Sequence, residues 1–215
     1  MLISLRNHRF TKGGIIVEAI RLLRQCREKA GARFAALAFP GKLGLAFCFA
    51  AFIGLAAQIR IPLPWTPVPI TGQTFAVLVT GALLGAGWGA VGTGLYLVAG
   101  ALGLPWFAGW TGGFHLLTGA TGGYLLGFIP AAVFVGYAIE RFPRARSMAG
   151  LLGVMTVADF LFIHGPGLLV LSLVSGVYDP TKLLWMGTFP FIPGDMTKIA
   201  AASVLCRCLL PEENR

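Results

Sequence analysis

The sequence predicts an all-α integral membrane protein with six transmembrane helices joined by structured outer loops. Three observations predict it. Only 12% of the residues are charged while 56% are hydrophobic, about half the charged fraction of an ordinary soluble domain. The apolar residues are gathered into long uncharged runs of the kind that cross a bilayer. The 30 glycines lie mostly among those runs, where close helix–helix approach in lipid favours them.

The net charge of +9 is unevenly spread: residues 1–42 hold nine Lys/Arg against two acids, and the remainder holds eight against six. The excess is a property of one tail, which argues against a nucleic-acid-binding domain. The four cysteines (Cys26, Cys48, Cys206 and Cys208) lack zinc or thioredoxin spacing. Cys48 and Cys206, inside apolar runs, read as small packing residues.

Residues 1–42 form a basic N-terminal cytoplasmic extension. The apolar core of a secretory signal is absent. Residues 15–37 have helical periodicity, with Ile16, Ala19, Ile20 and Leu23 on one face. They read as an amphipathic helix on the cytoplasmic lipid surface; a disordered basic tail is the competing reading. The six-helix membrane domain occupies 43–210, and 211–215 is a cytoplasmic tail.

The first span is 43–59. Its small residues Ala46, Ala50 and Gly54 recur every four positions, a stripe that lets another helix approach closely. That helix belongs either to this chain or to a partner protein. Residues 60–73 carry four prolines and form a rigid loop. Two apolar segments follow, 74–84 and 87–102, with a glycine-rich break between them. Residues 103–123 contain seven glycines, two tryptophans and no charge. So apolar a loop is expected to pack into the protein at membrane level. The fourth span is 124–139 and the fifth apolar region 148–174, interrupted at His164-Gly165-Pro166. A loop at 177–194 leads to the sixth span, which ends with 199–210.

Lys/Arg residues number nine, three and two in the tail before span one, the loop after span four and the end after span six. The other loops hold one, none and one. This bias places both termini in the cytoplasm. The loops 60–73, 103–123 and 177–194 then share the outer face.

The chemically distinctive stretch is 189–198, FPFIPGDMTK. Pro193 suits the first turn of a helix, where its missing N–H has no partner anyway. Asp195 falls in that turn, at the positive end of the helix dipole. The i, i+3 spacing puts Asp195 and Lys198 on one face. As a purely structural pair they would contribute about 0.2–0.5 kcal/mol. An ionised residue deep in a bilayer costs about 2.5–3.5 kcal/mol. A pair below the headgroups therefore calls for a function.

Four motifs in order, PVPITGQTF (67–75), YLVAGALGLPWFAG (96–109), TGATGGYLLGF (118–128) and PFIPGDMTK (190–198), resemble the BioY family, the biotin-binding S components of energy-coupling factor (ECF) transporters. The resemblance covers about residues 43–210. It implies a six-helix membrane protein that captures biotin from outside. It also implies a partner module of one transmembrane coupling protein and two ABC-type ATPases. S components dock on the coupling protein through an Ala-x-x-x-Ala motif, a form matched here by Ala46 and Ala50, with Gly54 next on the stripe. Some members bind biotin through a side-chain amide before span four. Residues 103–122 contain no Asn or Gln, so Trp110, Thr111 or backbone groups would have to substitute.

Biotin offers two ureido N–H donors, a ureido carbonyl, a thioether and a carboxylate. Asp195 can accept from a ureido N–H, and Lys198 can donate to the ureido carbonyl or to the carboxylate. Trp106, Phe107, Trp110 and Tyr124 can supply an apolar wall or serve as interfacial anchors. Gly122 and Gly123 permit close backbone approach. Gln73 is a polar contact or a tie on the proline loop. Asp159 and His164 read as a satisfied intramembrane polar pair, because i, i+5 does not place them squarely on one helical face.

No cofactor is expected: biotin is the transported ligand. No nucleophile–base pair, metal cluster or GxxxxGK[ST] sequence is found, so energy must come from partners or a gradient. The alternatives are an oligomeric biotin facilitator without ATPases, an S component for another vitamin, and an intramembrane enzyme using Asp159 and His164 as acid and base.

Overall fold

The computed structural model describes residues 36–210. Most of the N-terminal extension, including nearly all of the amphipathic segment expected at 15–37, and the tail 211–215 lie outside the described residues.

Helix α1 (Phe39–Ala56) starts with Pro40 in its first turn and buries Ala46, Ala50, Ile53, Gly54 and Ala56. The proline-rich loop then closes through a two-residue antiparallel ladder, β1 (Arg60–Ile61) against β2 (Ile70–Thr71). Helix α2 (Gln73–Ala101) is broken at Gly85, whose φ of 78° and ψ of −180° are not helical. A residue without a Cβ adopts that conformation at little cost. The two legs fold back on each other: a Cβ on Gly89 would lie 3.1 Å from Gly81 Cα. At the far end, Gln73 donates a hydrogen bond to the Tyr96 hydroxyl. The glycine-rich break expected between 74–84 and 87–102 is this hairpin. Its second leg is held by Glu140, whose Oε1 accepts from Ala86 N–H at 3.1 Å.

Helix α3 (Gly122–Arg141) packs against both legs, with Ala131, Ala132 and Val135 fully buried. After a short 3-10 turn (Pro143–Arg146), Ser147 caps helix α4 (Met148–Val157) by accepting from Gly150 N–H at 3.0 Å. The fifth apolar region does not stop at His164-Gly165-Pro166. It widens into a π turn (Ala158–His164) and continues as α5 (Gly165–Ser175). Pro166 has no N–H to give to the preceding turn, and a π bulge absorbs such a gap in the ladder. Within the 177–194 loop lies α6 (Pro180–Gly187), capped by Asp179. The last helix, α7 (Ile192–Leu209), has Asp195 in its first turn.

Among the described residues, four helical runs are long and apolar enough to cross a membrane: Phe39–Ala56, Gln73–Ala101, Gly122–Arg141 and Met148–Ser175. Helix α7 is 18 residues long but carries Asp195, Lys198 and Arg207. The outward faces are themselves apolar, with Phe47, Leu55, Leu161, Leu169 and Leu173 exposed. Helices hydrophobic on both faces suit a bilayer rather than water.

The small-residue stripe of α1 is used inside the chain. Ala46 and Ala50 are 0% exposed. A Cβ on Gly92 would meet the Ala46 carbonyl at 3.3 Å, and one on Gly54 would lie 3.0 Å from Trp106 Cβ. Of the two readings of Ala46, Ala50 and Gly54, packing within the chain is the one observed. These residues already touch α2 and the loop after it; docking of a partner on this stripe remains a proposal.

Candidate ligand pocket

One end of the helix bundle encloses a cavity of about 320 Å³, toward the lower end of the ~300–1,000 Å³ range of small-molecule pockets. Its lid is the β1–β2 loop, contributing Pro67, Val68, Pro69 and Thr71. Its side walls come from the loop after α2 (Phe107, Ala108, Thr111, Leu116) and from α3 (Tyr124, Leu125, Phe128). Its floor is formed by Ile163, His164, Phe191, Asp195 and Lys198, and Gln73 and Arg60 also line it.

The charged couple is buried. Asp195 is 2% exposed, and Lys198 Nζ stands 2.6 Å from its Oδ1. The same ammonium donates to the Thr71 carbonyl at 3.0 Å, fastening the proline loop to α7. Thr71 Oγ1 in turn donates to Gln73 Oε1 at 2.8 Å. Gln73 therefore lines the cavity and ties down the loop at once.

His164 belongs to this network, which the sequence reading missed. In an α-helix, residues five apart diverge, but a π turn brings them close to one side. The expectation of a satisfied Asp159–His164 pair is corrected in two respects. The two side chains stand 3.9 Å apart, beyond hydrogen-bond reach. His164 Nε2 lies instead 3.0 Å from Asp195 Oδ2, while its Nδ1 lies 3.0 Å from the Gly187 carbonyl. Among the described residues, Asp159 alone has fully buried side-chain polar atoms without a hydrogen-bond partner, and both its oxygens are bare. It lies behind His164 and does not line the cavity. Asp159, His164 and Asp195 have donor atoms within 4.8 Å of one another. The ammonium of Lys198 stands beside Asp195 as the counter-charge of this cluster.

The remaining site candidates separate. Tyr124 lines the cavity, and its hydroxyl donates to the Gly187 carbonyl at 2.8 Å. Phe107 lines it as well, whereas Trp106 packs behind, donating Nε1–H to the Tyr96 carbonyl at 2.8 Å. Trp110 is 66% exposed and outside the lining. Gly122 and Gly123 do not face the cavity either. A Cβ on Gly123 would fall 2.1 Å from the Pro166 carbonyl oxygen. The missing side chain there lets α3 approach α5.

Gln58, just beyond the end of α1, is a further residue that sequence reasoning missed. Its Nε2 donates to the carbonyls of Gly54, Trp106 and Phe107 at 2.9, 3.3 and 3.2 Å. Its Oε1 accepts from Trp110 N–H at 2.9 Å. It thus joins α1 to the glycine-rich wall loop. The only signal in the sequence is an amide at the end of an otherwise apolar run.

A family model described as the BioY family matches residues 31–214. A probable biotin transporter BioY of Methanothermobacter thermautotrophicus is 47% identical over 140 residues, 63% of this chain and 89% of that protein. The biotin transporter BioY of Thermotoga maritima is 38% identical over 157 residues, covering 73% and 88%. Among solved structures, the S-component for biotin from an ECF-type ABC transporter superposes with a TM-score of 0.74 at 27% identity. That match covers 81% of this chain and 94% of the other.

Proposed function

Because the chain belongs to the BioY family, we propose that it is a biotin-capturing S component of an ECF-type transporter. It is a multi-pass membrane transport protein and not an enzyme. The observation that carries the ligand assignment is the buried Asp195–Lys198 couple opening onto a cavity roofed by the proline loop. Asp195 accepts from a ureido N–H of biotin, and Lys198 donates to the ureido carbonyl or to the carboxylate. Phe107, Tyr124, Leu125 and Phe128 supply the apolar wall, with Gln73 as a further polar contact. No cofactor takes part; biotin is carried unchanged.

In this reading the chain crosses the cell membrane six times, through α1, the two legs of α2, α3, the α4–π–α5 run and α7. Both termini face the cytoplasm, and the cavity opens outward. The positive-inside bias supports that orientation. Transport is powered by a coupling protein in the membrane and two ABC-type ATPases. The burial of Ala46, Ala50 and Gly54 within the chain favours keeping a second reading, an oligomeric facilitator that works without that module. Uptake of labelled biotin in cells lacking the coupling module separates the two. Equilibrium binding of labelled biotin to the purified protein tests the shared core: saturable binding is expected, and its absence at micromolar ligand refutes the ligand assignment.

A further inference from the structure

The geometry points to Asp159 as a proton-binding residue of the capture step: protonated, it leaves the pocket receptive to an anionic ligand, and ionised, it opposes that ligand. The inference rests on the biotin reading above, with the carboxylate rather than the ureido carbonyl taken by Lys198. It begins with hydrogen-bond roles. The Gly187 carbonyl can only accept, so His164 Nδ1 carries a proton. The Asp195 carboxylate paired with Lys198 also accepts, so Nε2 carries a proton as well. His164 is therefore an imidazolium. The pocket floor holds two cations, His164 and Lys198, against one carboxylate, Asp195.

Asp159 decides the balance. Its carboxyl group is 0% exposed and neither oxygen has a hydrogen-bond partner in the protein, an arrangement that costs an ionised carboxylate far more than a neutral one. The charged and titratable groups acting on it are His164 on its own segment and Asp195 and Lys198 on α7; Tyr124 on α3 packs edge-on against the His164 ring. Arg60 lies further off, at the cavity mouth. With Asp159 protonated, the floor carries one net positive charge, which the biotin carboxylate neutralises. With Asp159 ionised, the floor is already neutral, and the same ligand adds an unmatched negative charge in a low-dielectric site. Biotin and ionised Asp159 thus compete for His164 and Lys198. Linkage fixes the sign: capture takes up a proton from solvent, and affinity falls as pH rises through the titration of Asp159. His164 Nε2, 3.0 Å from Asp195 and 3.9 Å from Asp159, lies on the path between the cavity and this buried acid.

The test is titration calorimetry of the full chain with biotin, in buffers of different ionisation heat and across about pH 6–9. The expected result is net proton uptake approaching one per biotin at the upper end, with affinity falling by up to about tenfold per pH unit. Asp159→Asn keeps a neutral group of the same shape; it should bind biotin with a flat pH profile and no proton uptake. Biotin binding without proton exchange in the parent chain overturns this inference and leaves the biotin reading standing. Equal uptake in the parent and in Asp159→Asn overturns the assignment to Asp159. No binding at any pH overturns the biotin reading itself.

Discussion

Replacing Lys198 with alanine should weaken biotin binding by between about tenfold and a hundredfold. The magnitude follows from what the ammonium touches. Its side chain is 16% exposed, and it lies 2.6 Å from Asp195 Oδ1 and 3.0 Å from the Thr71 carbonyl. Removing it deletes one charged donor to the ligand, worth about 1.5–3 kcal/mol, and each 1.4 kcal/mol is about tenfold in affinity. It also unfastens the proline loop from α7, so the loss should appear mainly as faster release. The protein itself should survive the change. Asp195 keeps His164 at 3.0 Å, so the remaining carboxylate is not left as an unpaired buried charge. Equilibrium binding of labelled biotin to purified protein measures the first effect, and a chase with unlabelled biotin measures the second. A folded Lys198→Ala protein with unchanged affinity and release rate would refute the argument that this couple grips the ligand.

Four other changes probe the rest of the account. Gly123→Ala drives a methyl group to 2.1 Å from the Pro166 carbonyl, so α3 and α5 must separate, at a cost of about 1–3 kcal/mol; the melting temperature in detergent should fall by several degrees. Gln58→Ala removes three donated bonds and one accepted bond at the root of the wall loop. It should cost about 1–3 kcal/mol in stability and speed biotin release, both readable by thermal melting and chase kinetics. Trp110→Ala should leave biotin affinity within about twofold, because the side chain is exposed and outside the cavity. Phe107→Ala, at a wall residue only 2% exposed, should cost about 3–5 kcal/mol in stability.

The parts of the fold written in local chemistry were legible. Proline and glycine mark the lid loop, the Gly85 fold-back and the start of α7, because their backbone constraints act wherever the chain goes. The Asp195–Lys198 pairing follows from helix spacing alone. What escaped depends on a change of helical period or on distant partners. Asp159 and His164 diverge only in a uniform α-helix, which the fifth run is not. The π turn ahead of Pro166 swings His164 onto Asp195 and leaves Asp159 bare behind it. The glycines at 122–123 signal close backbone approach, but not that the body approaching Gly123 is α5 and the one approaching Gly122 is the loop at Leu117. The stripe Ala46, Ala50 and Gly54 has the same ambiguity, since small residues admit any neighbour and only the tertiary structure names α2 and Trp106.

The central claim is that the Asp195–Lys198 couple beneath the proline loop holds biotin. An experimental structure of the chain with biotin bound tests it most directly. The ureido ring or the carboxylate should lie within hydrogen-bond distance of Asp195 and Lys198, with Thr71 closed over it. Biotin seated elsewhere, with that cavity left without ligand, would contradict the account.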